Sequence, residues 1–137
     1  MADCIISYIK KDEIFAQYLL DILNSRNLSV ILSSISFKPD EFISTNAFKN
    51  LEQKEWILFL ASKEACKSPY VLQEVGLVLG KKLVPVIWDI SPDELPVWIN
   101  RYYAIDLRNK SPMEISDIFS GVVKKIKADK LKEYFSV

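Results

Sequence analysis

The segment EWILFLASKEACKSPYVLQEVGLVLGKKLVPVIW, residues 55–88, places a helical stretch between two apolar runs. The runs, residues 55–62 and 83–88, are continuous rather than alternating, which is typical of strands buried on both faces of a sheet. Between them, the Ser-Pro pair at residues 68–69 matches a helix start and Gly80 matches a helix end. A strand, a helix and a second strand in this order predict a βαβ unit, and hence a parallel sheet.

The alternation of strands and helices continues on both sides of this unit. Further predicted strands are residues 4–8, 28–32 and, more weakly, 102–107, and further predicted helices are residues 13–25, 41–52 and a last helix that opens at the capping box Ser111-Pro112-Met113-Glu114. Five such strands predict an α/β, flavodoxin-like three-layer sandwich, which is a five-stranded parallel sheet with helices on both faces. The chain shows no linker or repeat, so we expect a single domain over residues 1–137.

Three local features refine this architecture. Asp12 precedes the first predicted helix and is expected to cap it. Pro85 has no N–H group for a ladder hydrogen bond, so its strand is expected to lie near a sheet edge or to contain a bulge. Residues 33–42, with the turn formers Pro39 and Asp40, predict a long exposed loop after the second strand.

The composition argues against several classes of function. Eighteen basic and eighteen acidic residues cancel, so we expect no binding to nucleic acid. The chain has no histidine, which removes Ser-His and Cys-His nucleophilic machinery, imidazole acid–base catalysis and His-ligated zinc. Three glycines, all within helical patterns, are too few for a P-loop or a dinucleotide fingerprint. We therefore expect neither a metal nor a bound cofactor.

Cysteine content and hydropathy predict a cytoplasmic protein. Cys4 and Cys66 are too few for a disulfide framework and each lies in or beside an apolar run, as small buried side chains do in a reducing compartment. The N-terminal apolar run is short and has acids on both sides, unlike a signal peptide. The other apolar runs are far shorter than a membrane helix requires, so no membrane partner is expected.

Glu74 lacks a local structural role in its predicted helix. It lies about one and a half turns after Ser68, too deep for the acid of a capping box. The residues three and four positions away are Tyr70, Val71, Leu77 and Val78. None is a cation, so no intrahelical ion pair is available. Ligands bind at the carboxyl ends of parallel strands, and helical side chains lean toward that end. From the residues alone, a functional carboxylate and a solvated surface acid both remain open.

Three segments together resemble the Toll/interleukin-1 receptor (TIR) domain family. DCIISYIKKDE, residues 3–13, is similar to the family's first motif, an acidic residue followed by an apolar strand and Ser-Tyr. LSVILSSISFKPDEF, residues 28–42, resembles the second strand and the BB loop with its proline. Residues 55–89 resemble the next strand, the Ser-x-x-x-x-x-Glu helix and the strand after it. The resemblance covers most of the chain in the right order.

The resemblance implies an enzyme of the bacterial type, an NAD⁺ glycohydrolase or cyclase, that cleaves NAD⁺ at the nicotinamide–ribose bond in immune or cell-death signalling. Glu74 matches the family's catalytic glutamate, and NAD⁺ would be the substrate rather than a cofactor. The resemblance also implies substrate contacts from two regions. These are Tyr8, Lys10 and Lys11 in the first loop, and Ile31, Ser33 and Phe37 on the side of the second strand and BB loop.

Three residues depart from the family pattern. Ile31 stands where an aromatic ligand contact is usual and cannot stack, and Ser33 stands where an acid is common. Asp40 replaces the glycine that often follows the loop proline, which predicts a different loop shape. We expect self-association through the loop around Phe37–Phe42, and contacts with other TIR or sensor domains.

Two alternatives remain open. One is a non-enzymatic TIR scaffold that signals by homotypic assembly. The other is an enzyme similar to nucleoside deoxyribosyltransferases, which also use a glutamate on such a sandwich. A phospho-receiver domain is disfavoured, because its first strand would lead into clustered acids and its fifth into a lysine.

Overall fold

The computed structural model describes residues 3–35, 56–69, 71–72, 82–99 and 104–135 of the chain. Within these ranges the strands are β1 (Cys4–Ile9), β2 (Val30–Ile35), β3 (Trp56–Leu60), β4 (Lys82–Ile87) and β5 (Ile105–Asp106). The helices are α1 (Glu13–Ser25), α2 (Lys63–Lys67) and α3 (Pro112–Phe135), and short 3₁₀ turns cover Lys10–Asp12 and Pro92–Glu94.

The five strands of these ranges form one parallel sheet in the order β2-β1-β3-β4-β5. In the centre of the sheet, Ile6 of β1 lies opposite Leu32 of β2 and Leu58 of β3. The strand order reverses between β1 and β3, which is the position where parallel α/β sheets bind ligands. The predicted flavodoxin-like sandwich is confirmed.

Side chains alternate along the strands between two apolar cores, one on each face of the sheet. The α1–α3 face, which α1 and α3 cover, buries Cys4, Ile6, Leu19, Leu23, Leu58, Phe119, Val123 and Ile126. The opposite face buries Ile9, Ile35, Phe59, Ala65, Val71, Ile87, Ile90, Leu95 and Ile99. Both faces of β1, β3 and β4 are covered, so the side chains on both sides of these strands are mostly apolar.

Strand β2 begins and ends later than predicted. Asn27 has a left-handed φ of 62°, and Leu28 donates its backbone N–H to the carbonyl of Leu23 at 3.2 Å. The turn that ends α1 thus occupies the start of the predicted strand 28–32. At the other end, residues 33–35 pair with the last three residues of β1, so the prediction of a loop there is wrong.

Helix α1 has the predicted bounds, but Asp12 does not cap it. Asp12 occupies the N-cap position, and its side chain makes no capping hydrogen bond. Instead its carboxylate accepts a hydrogen bond from the Ser62 hydroxyl at 2.6 Å. The predicted cap is wrong because a partner from another loop binds the carboxylate.

Pro85 lies in β4, the strand next to the edge strand β5 of the described sheet. It is opposite Phe59 of β3, and among the described residues β4 pairs with β5 at Val86 and Ile87. In the described part of the chain β5 contributes two residues, in line with the prediction of a weak last strand. The expectation that Pro85 lies near an edge is confirmed.

The capping box that opens α3 is confirmed in both directions. The backbone N–H of Glu114 donates to the Ser111 hydroxyl at 3.2 Å, and the N–H of Ser111 donates to the Glu114 carboxylate at 3.1 Å. Toward its other end, α3 is tied to the sheet through Asp129, which accepts a hydrogen bond from the Trp56 indole at 3.1 Å and forms an ion pair with Lys82. These contacts hold the helix along the α1–α3 face.

Four predicted features lie wholly or partly outside the described residues. They are the rest of the exposed loop, 36–42, the helix over residues 41–52, the later part of the helix that ends at Gly80, and the first two residues of the strand 102–107. Where the structure describes the chain, no helix is both long enough and apolar enough to cross a membrane.

Candidate functional site

The carboxyl ends of β1 and β3 are joined by a buried serine. Ser62, which follows β3 and is 2% exposed, donates a hydrogen bond from its hydroxyl to the carboxylate of Asp12, in the loop after β1. The same hydroxyl accepts a hydrogen bond from the backbone N–H of Ala65 at 3.1 Å and so caps α2. One side chain therefore fixes the position of α2 relative to the first loop.

Asp89, which follows β4, holds the same helix from the other side. Its carboxylate accepts a hydrogen bond from the backbone N–H of Lys63 at 2.9 Å. Three loops thus converge at the start of α2. This five-residue helix was not predicted from the sequence, because it is too short to show a helical period. The available signal was Ser62 as an N-cap residue before Lys-Glu-Ala.

Ile31 and Ser33 share one face of the edge strand β2. They lie opposite Ile5 and Ser7 of β1, on the same side of the sheet as the buried Ile35. The side chain of Ile31 is 52% exposed and Ser33 is half-buried. The structure therefore brings these two predicted contacts together on the opposite face.

The three predicted contacts from the first loop do not share that face. Tyr8 is 6% exposed and packs in the core of the α1–α3 face, where burial, followed by the charge of Glu13, raises the pKa of its hydroxyl. Lys10 and Lys11 are exposed in the turn directly after β1. The Nζ of Lys11 lies 3.8 Å from Oε2 of Glu64. Both side chains are more than half exposed, so this ion pair is weak.

Glu74 and Phe37 lie outside the described residues. The start of the segment that leads to Glu74 is described, and it matches the prediction. The hydroxyl of Ser68 accepts a hydrogen bond from the N–H of Val71 at 3.3 Å, and the carbonyl of Ser68 accepts one from Leu72 at 3.1 Å. Pro69 is the first helical residue, and Val71 is fully buried in the core of the opposite face.

Comparison with protein families identifies the chain. A family model described as TIR domain matches residues 5–119. The chain belongs to the TIR domain family. The resemblance inferred from the three sequence motifs is therefore confirmed at the level of the family.

A solved structure supports the same fold for this TIR domain. A metazoan TIR-STING receptor from C. gigas, determined in complex with 2′,3′-cGAMP, matches with a TM-score of 0.66 and 20% sequence identity. The match covers 92% of this chain and 39% of the receptor chain, so the TIR domain spans about two fifths of the receptor's length. At this identity the likeness is one of fold. No curated protein matches the chain as a relative.

The electrostatics of this TIR domain's rim centre on Asp12. Burial raises its pKa most, and the charges of Asp89 and Glu64 add to the effect, while the hydrogen bond from Ser62 and the charge of Lys11 oppose it. Despite these acids, no group of three or more potential ligands in the described ranges is arranged to hold a metal ion.

Cys66 on α2 is unsuited to act as a nucleophile. Its side chain is half-buried, and burial, followed by the charges of Asp89 and Glu94, raises the pKa of the thiol to about 11. The thiolate is the reactive form of cysteine, so the thiol remains protonated and unreactive at neutral pH. Among the described residues near the rim, carboxylates, hydroxyls and lysines are left as the reactive groups.

Proposed function

We propose that this TIR domain cleaves NAD⁺ at the nicotinamide–ribose bond, with Glu74 as the catalytic carboxylate. The observation that supports this most is the start of the segment leading to Glu74. Ser68 caps it, and Val71, three residues before Glu74, is buried against the face of the sheet that also carries Ile31 and Ser33. The packing of that start is fixed by a cap and a fully buried side chain.

The chemistry needs no group that the chain lacks. In NAD⁺ the nicotinamide is a cationic pyridinium and leaves as a neutral molecule, so one carboxylate suffices where ordinary glycosidases use two. Positive charge develops on the ribose as the bond breaks, and a fixed carboxylate beside the ribose stabilises that charge. Apolar surroundings strengthen the interaction by lowering the local dielectric constant. Histidine, a metal and a cofactor are all unnecessary.

We assign the pyrophosphate of NAD⁺ to Lys10 and Lys11. Both side chains are exposed beside the rim, and the weak pairing of Lys11 with Glu64 leaves its ammonium group free to exchange partners. Ile31 offers apolar surface on the opposite face, with the hydroxyl of Ser33 two residues along. Tyr8 would support the first loop from beneath, since its side chain is buried. Phe37 completes the proposed set of contacts.

The test is a direct assay of NAD⁺ consumption. Purified protein is incubated with NAD⁺, and nicotinamide and ADP-ribose products are resolved by chromatography. Glu74→Ala and Glu74→Gln are expected to fold and to release nicotinamide at least about 100-fold more slowly, the usual loss for removing a charge-stabilising group. Asp117→Asn, a change of an exposed acid on α3, is the matched control and should retain activity. Equal turnover by wild type and Glu74→Ala would refute the assignment.

A non-enzymatic scaffold is the second candidate. TIR domains commonly self-associate, and here β2, at the edge of the described sheet, exposes Ile31 shortly before residues 37–42, the segment predicted to mediate self-association. We propose that this edge contacts a second copy of the chain, another TIR domain or a sensor domain. If assembly forms without any NAD⁺ turnover, the scaffold function is favoured. In either case we propose a single domain over residues 1–137 that acts in the cytoplasm.

A further inference from the structure

A groove of about 530 Å³ lies between the first turn of α1 and the first turn of α3. Its volume is within the range of small-molecule sites, about 300–1,000 Å³. It opens on the α1–α3 face, whereas Ile31 and Ser33 lie on the opposite face. The groove therefore lies on the other face of the sheet from Ile31 and Ser33, and Lys11 is the residue it shares with the contacts proposed for NAD⁺.

Three aromatic rings line the groove. Phe15 of α1 contacts Trp88, which follows β4, with ring centroids 4.4 Å apart and planes tilted by 49°. Tyr18, one turn along α1, stacks on Phe15 with centroids 6.1 Å apart. All three side chains are partly buried, so each keeps ring surface toward the groove. Such a surface suits a flat heteroaromatic ring, because stacking on aromatic side chains is tolerant of the ring's identity.

The charged groups at the groove are arranged for a ligand with one anionic end and one donor. Lys11 and Lys110 line it from two different loops. The positive ends of the α1 and α3 dipoles also lie there, which favours an anion. Asp12 lines the groove, and its Oδ2 accepts a hydrogen bond from the Ser62 hydroxyl. Among the described residues no donor is bound to its Oδ1, which can accept a hydrogen bond from a ligand.

We propose that this groove binds a purine nucleoside monophosphate. The purine lies against Phe15 and Trp88, its exocyclic amine donates to Asp12, and its phosphate contacts Lys11 and Lys110. The proposal does not depend on NAD⁺ cleavage, because a purine nucleoside monophosphate has no nicotinamide–ribose bond to cleave.

Calorimetric titration of the full chain tests the site, with AMP, adenosine, IMP and inorganic phosphate as separate ligands. AMP is expected to bind at least about 10-fold tighter than adenosine, which lacks the phosphate, and than phosphate, which lacks the ring. IMP has an oxygen in place of the amine and should bind more weakly than AMP. Lys110→Ala should weaken AMP binding several-fold and leave adenosine unchanged. Lys124→Ala, an exposed lysine further along α3, is the matched control.

A second variant addresses the ring. Phe15→Leu keeps an apolar side chain and removes the aromatic face, so it should weaken both AMP and adenosine, with thermal unfolding used to verify the fold. Absence of AMP binding at millimolar concentration would overturn the proposal. So would equal binding of inorganic phosphate, equal binding of IMP, or equal losses in Lys110→Ala and Lys124→Ala. Because AMP binding and nicotinamide release are separate readouts, failure of one leaves the other intact.

Discussion

Replacing Ser62 with alanine is expected to destabilise the domain by more than the loss of a single hydroxyl group suggests. The hydroxyl makes two hydrogen bonds, one to the Asp12 carboxylate at 2.6 Å and one from the Ala65 N–H at 3.1 Å, and it is 2% exposed. Loss of an N-cap costs about 1 kcal/mol, and loss of a hydrogen bond to a charged group costs about 1.5–3 kcal/mol. Asp12 is half-buried and regains some water, so the expected total is about 2–3 kcal/mol.

The assay is urea unfolding, together with a thermal scan. For a domain of this size the loss corresponds to a fall of about 6–15 °C in Tm. Ser120→Ala, a half-buried serine in the interior of α3, is the control and should change the free energy of unfolding by less than about 0.5 kcal/mol. A double-mutant cycle with Asp12→Asn should give a coupling of about 1 kcal/mol or more. If Ser62→Ala matches the control, or the cycle shows no coupling, the bridge between the two loops is refuted.

Two further predictions follow from the pKa shifts at the rim. Burial, aided by Asp89, raises the folded-state pKa of Asp12, so the folded chain binds the proton more readily than the unfolded chain does. The free energy of unfolding of wild type, relative to Asp12→Asn, should therefore rise as pH falls through the folded pKa toward the unfolded value; a relative fall would contradict this. Because the pKa of Cys66 is about 11, iodoacetamide should label it at pH 8 about 100-fold more slowly in the folded chain than in urea; comparable rates would contradict its burial.

The fold was predictable because its buried strands stand out in the sequence as apolar runs. The runs in β1, β3 and β4 are apolar apart from Ser7 and the first residue of β4, Lys82, and such runs occur in sheets covered on both faces. The caps at Ser68 and Ser111 were predictable because each serine and the backbone N–H that it caps are only three residues apart in the sequence. The exception was β2, an edge strand that contains Ser33 and Ser34. Its half-exposed end has the polarity of a loop.

The rim was less predictable because its contacts join distant parts of the chain. Asp12 and Ser62 are fifty residues apart. Nothing in the sequence around Asp12 indicates that its carboxylate accepts a hydrogen bond from Ser62 and not from a backbone N–H at the start of α1. The face occupied by Tyr8 follows from alternation along β1, but the register that sets Ile31 and Ser33 on the other side is a property of the assembled sheet. The groove beside Phe15 depends on three segments that meet only in the folded domain.

The role of Glu74 is tested most directly by the rate of nicotinamide release from NAD⁺ at high protein concentration, where assembly is favoured. Wild type and Asp117→Asn should release nicotinamide at the same rate, whereas Glu74→Gln, which keeps the size of the side chain and removes its charge, should release almost none. Unchanged release from Glu74→Gln would contradict the account and leave only the architecture of the domain.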